Sequence, residues 1–188
     1  MARLILIRHA EPTIDPDLPP PEWALSPAGK EGAARLADQL TDREIGRIFS
    51  SGGRKAIQTA EIVGGRLGLE NRIAPPLHEH DRTGVGFLEA GAFQAAIKAL
   101  FEQPSEMVFG QESASAAVAR FRSALDQIES RCPEETSIAC ATHGTIMSLF
   151  TATLGDTDGY SLWKQLKMPA TIEIGRKSRA IVNITLSY

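Results

Sequence analysis

The sequence predicts an α/β fold, a three-layer α/β/α sandwich with a mixed, mainly parallel central sheet. Two observations carry this. Strand-like segments alternate with helix-like segments over most of the length, the order of a parallel sheet covered on both faces. The chain then ends on two strand-like runs joined by a turn, an antiparallel hairpin. With 188 residues and no composition break, one domain with a substantial core is expected across 1–188.

The elements follow in order. Strand 3–8 holds the apolar run Leu4-Ile5-Leu6-Ile7, which reads as a short buried strand. Residues 11–25 contain Pro12, Pro16, Pro19, Pro20 and Pro21, which forbid regular structure and mark a long connection. Ser26-Pro27 opens helix 27–42, with a capping hydroxyl and a proline at the first helical position. Strand 46–50, helix 54–67 and strand 72–75 come next. Residues 76–90 form a second long connection, and because both connections follow strands they are expected over the same sheet edge. Helix 91–103 precedes helix 112–130, whose Ala114, Ala117, Val118, Phe121, Ala124, Leu125 and Ile128 fall on one face. Its charged residues Arg120, Arg122, Asp126 and Glu129 are expected in solvent. Strand 137–141, helix 144–154, strand 170–176 and strand 180–186 complete the order. Arg179 sits at the last turn, and Ile172, Ile174, Ile181 and Ile184 are core candidates.

Composition narrows the class. A hydrophobic fraction of 43% and a charged fraction of 23% suit a soluble globular protein. A net charge of -3 offers no basic footprint for nucleic acid. The first apolar run is cut after four residues by Arg8, His9 and Glu11, too short for a signal core or a membrane span. Cys132 and Cys140 sit among aliphatic residues and read as buried, reduced thiols, so a cytoplasmic location is expected.

Four clusters carry chemistry. Arg8-His9 ends the first strand and delivers a cation and an imidazole to the carboxyl edge, where open α/β sheets bind ligands. A guanidinium suits bidentate phosphate binding, and a neutral imidazole beside a phosphate can attack it through one ring nitrogen. The other nitrogen must then be held as a donor, by a backbone carbonyl. Ser50-Ser51-Gly52-Gly53-Arg54-Lys55 pairs small residues with two cations at a helix start, where free amides and the dipole favour anions. Thr142-His143-Gly144-Thr145 repeats the strand-end histidine, and Gly144 allows close approach of main chain to ligand. In His78-Glu79-His80-Asp81-Arg82, Glu79 or Asp81 can give a leaving oxygen its proton. Enclosure near an anion should raise the pKa of such a carboxyl. The two histidines lack the spacing of a zinc site, so no metal is expected.

Together these pieces resemble the histidine phosphatase superfamily, in its phosphoglycerate mutase-like branch. The matching segments are Leu6-Ile7-Arg8-His9-Ala10-Glu11, Leu25-Ser26-Pro27-Ala28-Gly29, Ser50-Ser51 through Gln58-Thr59-Ala60, and Thr142-His143-Gly144; Gly110-Gln111-Glu112-Ser113 resembles the family's Gly-Glu-Ser helix start. The resemblance implies that His9 is the nucleophile, phosphorylated during turnover. It implies that Arg8 binds the phosphoryl oxygens and that His143 completes the pocket. It places the acid at Glu79. Three positions depart from the family pattern. Ala10 stands where glycine is usual, and Asp15 where asparagine is common. The second cation falls by register on Lys55 rather than arginine, with Arg54 as its rival. The expected activity is phosphomonoester hydrolysis without metal or organic cofactor, on a phosphorylated small molecule or a phosphoprotein. A phosphomutase, or a non-catalytic phosphate- or phosphoprotein-binding module, is the alternative. The short segment from Arg82 to Gly110 leaves little material for a mutase lid.

Overall fold

A computed structural model describes residues 1–86 and 88–188. The strands are β1 (Arg3–Arg8), β2 (Ile45–Ser50), β3 (Asn71–Ile73), β4 (Ser137–Thr142), β5 (Ala170–Gly175) and β6 (Ile181–Thr185). They form one sheet in the order β3-β2-β4-β1-β5-β6. The first four run parallel, β5 is antiparallel to β1, and β6 is antiparallel to β5. The sheet is therefore mixed and mainly parallel, closed by the expected C-terminal hairpin.

Alternation along the strands builds the three layers. Leu4 and Leu6 of β1, with Ile138 and Cys140 of β4, face one side. There they meet Phe121, Leu125 and Ile128 of α4 (Ala114–Ser130) and Ile146, Met147 and Phe150 of α5 (Gly144–Ala152). Ile5, Ile7, Ala139 and Ala141 face the other side. They pack on Leu36 and Leu40 at α1 (Pro27–Gln39) and on Ala56, Ala60 and Val63 of α2 (Arg54–Leu67). Both faces of β1 and β4 are dry, which explains runs that are apolar throughout rather than alternating.

α2 matches the expected bounds, and α3 (Ala90–Glu102) lies within one residue of them. α1 ends at Gln39, earlier than expected, because a 3-10 turn at Thr41–Arg43 takes over and Glu44 turns with φ 48°. β3 ends at Ile73, since Pro75 has no N–H for the ladder. A short helix missing from the sequence reading, α6 (Gly159–Gln165), starts where Asp158 accepts the Ser161 amide at 2.8 Å. Phe87, inside the 76–90 connection, lies outside the described residues. Ile172 and Ile174 are core residues as expected, while Ile181 and Ile184 on the edge strand are half-buried.

The charged face of α4 differs from the expectation of solvent. Glu129 is buried and paired with Arg176 at 3.2 Å and with Arg179. Arg176 is itself only 7% exposed in its side chain, and it donates to the carbonyls of Pro133, Glu129 and Thr136. It ties the end of β5 to the α4–β4 turn. Arg120 is half-buried against the 76–82 segment, with consequences described below. Both long side chains find partners that are remote in sequence, so helical periodicity alone places them on a polar face.

Removing one partner of a buried pair strands the other, at a cost of about 3–5 kcal/mol. Arg176→Met is therefore expected to lower unfolding free energy by about that amount in chemical denaturation. Arg66→Met breaks a 2.6 Å pair with Asp38 in which both side chains are 61% exposed, and should cost under about 1 kcal/mol. Equal losses in the two variants would show that Arg176 is not a clamp.

Candidate active site

β1 and β4 pair in register, with Arg8 opposite Thr142, and His9 N donates to Thr142 O at 3.0 Å. This brings the two strand-end histidines together, with ring centroids 5.2 Å apart. β2, on the other side of β4, ends beside them: Ser51 N donates to Ala141 O at 2.9 Å. Both long connections reach the same edge. Residues 74–82 follow β3 there, and Thr142 Oγ1 donates to Leu77 O at 2.6 Å. The 11–25 connection folds back through Thr13 N to Ala24 O, and Pro12 bridges Leu25.

His9 is buried, and its Nδ1 lies 2.8 Å from Ala10 O. A carbonyl only accepts, so Nδ1 carries the proton and Nε2 keeps its lone pair. This is the arrangement that the sequence called for. Burial first, then the charges of His143, Lys55 and Arg8, push the His9 pKa well below its ordinary value. The ring is neutral at pH 7. Ala10 itself is buried and donates its amide to Thr59 Oγ1 at 3.0 Å. A methyl group at this position is accommodated.

His143 is buried beside Ser51, whose Oγ lies 2.7 Å from its Nε2. Burial and the charges of Lys55 and Arg82 bring its pKa to about 3, so it too is neutral. Ser51 is a positioning residue that the motif contained but that sequence reasoning gave no role.

Arg8 is half-buried; it donates to Leu166 O, and its Nε has no partner among the described residues. A Cβ on Gly144 would stand 2.9 Å from that Nε and 3.0 Å from Cζ. The glycine thus makes room for the guanidinium.

The rival cations separate cleanly. Lys55 is buried, while Arg54, one residue earlier on α2, is exposed. Lys55 Nζ donates to Pro20 O at 2.8 Å and lies 5.1 Å from the Trp23 ring centroid. Burial lowers its pKa from 10.5 to about 8. Asp15 does not join the cluster. Its Oδ1 accepts the Asp17 amide at 3.0 Å, a local turn.

Glu79 reaches the start of α5, where its oxygens accept Ile146 N at 2.8 Å and Thr145 N at 3.1 Å; the His80 amide adds a third bond at 2.9 Å. Burial alone would raise its pKa. The charge of Arg82, His143 and the backbone amides outweigh burial and hold it at about 2. The expected upward shift is therefore reversed, because the carboxylate caps a helix and faces a guanidinium. Asp81 instead accepts Thr83 N at 2.8 Å and points along its own loop.

Three residues without an assigned role complete the site. Arg120 donates to the carbonyls of Pro76, His78 and Glu79, and pairs with Glu112 at 2.6 Å. Glu112 in turn accepts Asp81 N at 2.9 Å. These bonds shape the turn that carries Glu79. Arg82 donates to Thr145 Oγ1 at 2.7 Å and stands 3.6 Å from Glu79. Charge and proximity to Glu79 in the sequence were the available signals for Arg82; nothing local singled out Arg120. His78 Nδ1 faces Glu79 O and His80 Nε2 faces Glu112 O, so the two rings answer to different partners.

A neutral imidazole with one free nitrogen, a second imidazole, three cations and a helix-capped carboxylate define an α/β site suited to a phosphoryl group. Residues 4–176 match the model of the histidine phosphatase superfamily, branch 1, and the chain belongs to that family. Phosphoglycerate mutase-like protein 4 of Arabidopsis thaliana is 27% identical over 79% of this chain and 70% of its own length. The fold is also that of a mycobacterial glucosyl-3-phosphoglycerate phosphatase, with TM-score 0.79 and 21% identity over 100% of this chain and 99% of that one. A phosphoserine phosphatase mutant from Entamoeba histolytica, in complex with phosphoserine, gives TM-score 0.75 and 20% identity over 98% and 97%.

The cover of Pro20 and Trp23 over Lys55 has a measurable consequence. In a ¹⁵Nζ NMR titration the Lys55 resonance, assigned by its loss in Lys55→Arg, should titrate near pH 8. The charged form is then lost as pH rises through 8, well before ordinary lysines. A midpoint near 10.5 would show that the amine stays fully hydrated.

Proposed function

We propose that this protein hydrolyses phosphomonoesters through a phosphohistidine intermediate on His9. The observation that carries this reading is the pinned Nδ1 of His9, 2.8 Å from Ala10 O, which leaves Nε2 as a nucleophile among cations. Membership of the superfamily supports the class of chemistry. The names of the similar structures, phosphatases of a phosphoglycerate derivative and of phosphoserine, support a small phosphorylated substrate.

In this reading Arg8 and Lys55 hold the phosphoryl oxygens, and His143, neutral and fixed by Ser51, donates to another. His9 Nε2 forms the bond to phosphorus as the ester oxygen leaves on the opposite side. Glu79 protonates that oxygen, then takes a proton from the water that attacks the phosphohistidine. The resting carboxylate must first gain a proton. A bound phosphate monoanion supplies one, and its negative charge offsets the cations that hold Glu79 ionised. Phosphate is released and His9 regenerated.

Two variants test the steps. His9→Ala should abolish release of phosphate from p-nitrophenyl phosphate while keeping the circular dichroism spectrum and unfolding midpoint of the wild type. Wild-type protein quenched in turnover with ³²P-labelled substrate should carry acid-labile, base-stable phosphate, and His9→Ala none. Turnover by His9→Ala would remove His9 as the nucleophile.

Glu79→Gln should slow esters of poor leaving groups by roughly 10²–10⁴-fold, the scale of general acid catalysis, and aryl esters less. Asp81→Asn should remain active. The opposite pattern would place the acid at Asp81.

A further inference from the structure

The proline-rich 11–25 connection is a lobe with a fixed neck. At the neck Thr13 N donates to Ala24 O, Pro12 bridges Leu25, and Leu25 N donates to Gln58 Oε1 of α2 at 2.7 Å. Beyond the neck no residue from 14 to 23 is fully buried. Ile14 is 62% exposed and Leu18 38%, and Pro16, Pro19, Pro20 and Pro21 stand in solvent. The Trp23 indole N–H donates to Asp15 O at 2.8 Å and to Leu18 O at 3.1 Å, both inside the lobe. Among the described residues, one hydrogen bond ties 14–23 to the rest of the chain: Lys55 Nζ to Pro20 O at 2.8 Å. The Trp23 ring covers the same amine, 5.1 Å from its centroid. A segment with so little buried contact opens at small cost. Its four prolines limit the freedom gained on opening, so closing it again is also cheap.

Lys55 is held firmly on its other side. A Cβ on Gly53, at the start of α2, would stand 3.2 Å from His143 Cε1. Lys55 O accepts the Thr59 hydroxyl at 2.7 Å, and Thr59 Oγ1 accepts the Ala10 amide beside His9 at 3.0 Å. The first turn of α2 is thus locked against both histidines, and its lysine side chain alone reaches the lobe. An ammonium carries three N–H donors on one atom. Pro20 O takes one, which leaves two for a second partner. A guanidinium spreads its donors around a plane, away from a single point. Lysine at the position where the family pattern has arginine can therefore serve two partners from one atom.

We propose that phosphate closes the 14–23 lobe, and that Trp23 is the positioning residue through which the lobe holds Lys55 on the phosphoryl group. A phosphoryl oxygen on the two remaining donors favours the charged amine, which strengthens its attraction to the indole face. The indole and Pro20 O in turn hold that amine in place for the phosphoryl oxygen. The coupling is reciprocal: the gain that phosphate gives to lobe closure equals the gain that closure gives to phosphate affinity. Only the contact of Lys55 with a phosphoryl group is taken from the phosphatase reading.

Two measurements test it. Trp23 and Trp163 are the two tryptophans of the chain, so Trp163→Phe leaves Trp23 as the single indole reporter. In that protein saturating inorganic phosphate should lower acrylamide quenching of Trp23 by about twofold, the signature of a lobe drawn closed, and chloride at equal ionic strength should not. Separately, Trp23→Leu should raise the calorimetric Kd for inorganic phosphate and the KM for p-nitrophenyl phosphate by about three- to tenfold, with kcat and the unfolding midpoint unchanged. Trp23→Phe, which keeps a ring over the amine, should recover part of the loss. A merely structural Trp23 would lower the unfolding midpoint and affect kcat as much as KM; that result, or equal losses in the Leu and Phe variants, removes it as a positioning residue. Phosphate that fails to bind, or binds without protecting Trp23, overturns the closure. Protection of Trp23 by phosphate in a protein that turns over no phosphomonoester would sink the hydrolase and keep the lobe.

Discussion

The parallel ladder between Leu4–Arg8 and Ile138–Thr142 sets the spacing on which the site depends. Two strands with the same polarity and register end at the same height, and each then presents a histidine. Because strands lie about 4.8 Å apart, the imidazoles meet at contact distance without any loop having to bring them together. The ladder is central in the sheet and dry on both faces, so its position is among the most strongly determined features of the fold. The rest of the site is arranged around that pair from β2, from the segment after β3 and from the proline-rich connection.

Electrostatics then constrain the cluster. Three cations and two imidazoles share a partly buried volume with a single carboxylate. Repulsion and desolvation act together on the bases: both histidines are neutral and Lys55 is brought to about 8. Glu79 responds in the opposite direction, to about 2, because helix amides and Arg82 favour its charge over the cost of burial. A site tuned in this way favours anions of high charge. It also leaves the charge of Glu79 under the control of its neighbours, Arg82 foremost.

The turn bearing Glu79 has its own scaffold. Arg120 gathers three of its carbonyls, Glu112 takes the Asp81 amide, and a Cβ on Gly110 would press to 2.1 Å from Asp81 O. With φ of +81°, Gly110 meets both a close approach and a backbone that other residues resist. The carboxylate is therefore placed by side chains from α4 and from the segment before it, not by its own sequence neighbours.

Much was legible from local pattern. The three-layer sheet follows from alternating periodicities and from unbroken apolar runs, which only burial on both faces explains. That His9, His143, Glu79 and Lys55 gather at one edge could be read from the sequence, because strand ends and motif spacing are short-range properties of a chain. The charge state of Glu79, the burial of Glu129 and the tasks of Ser51, Arg82 and Arg120 could not, since each depends on partners far away in sequence. Gly144 shows the limit most clearly. Its smallness was evident from the residue type, but that the space it leaves belongs to the Arg8 guanidinium is a fact of strand register. Between Lys55 and Arg54, the sequence offered register alone. The tertiary structure separated them, because a helix turns successive side chains by about 100° and only one direction leads under Trp23.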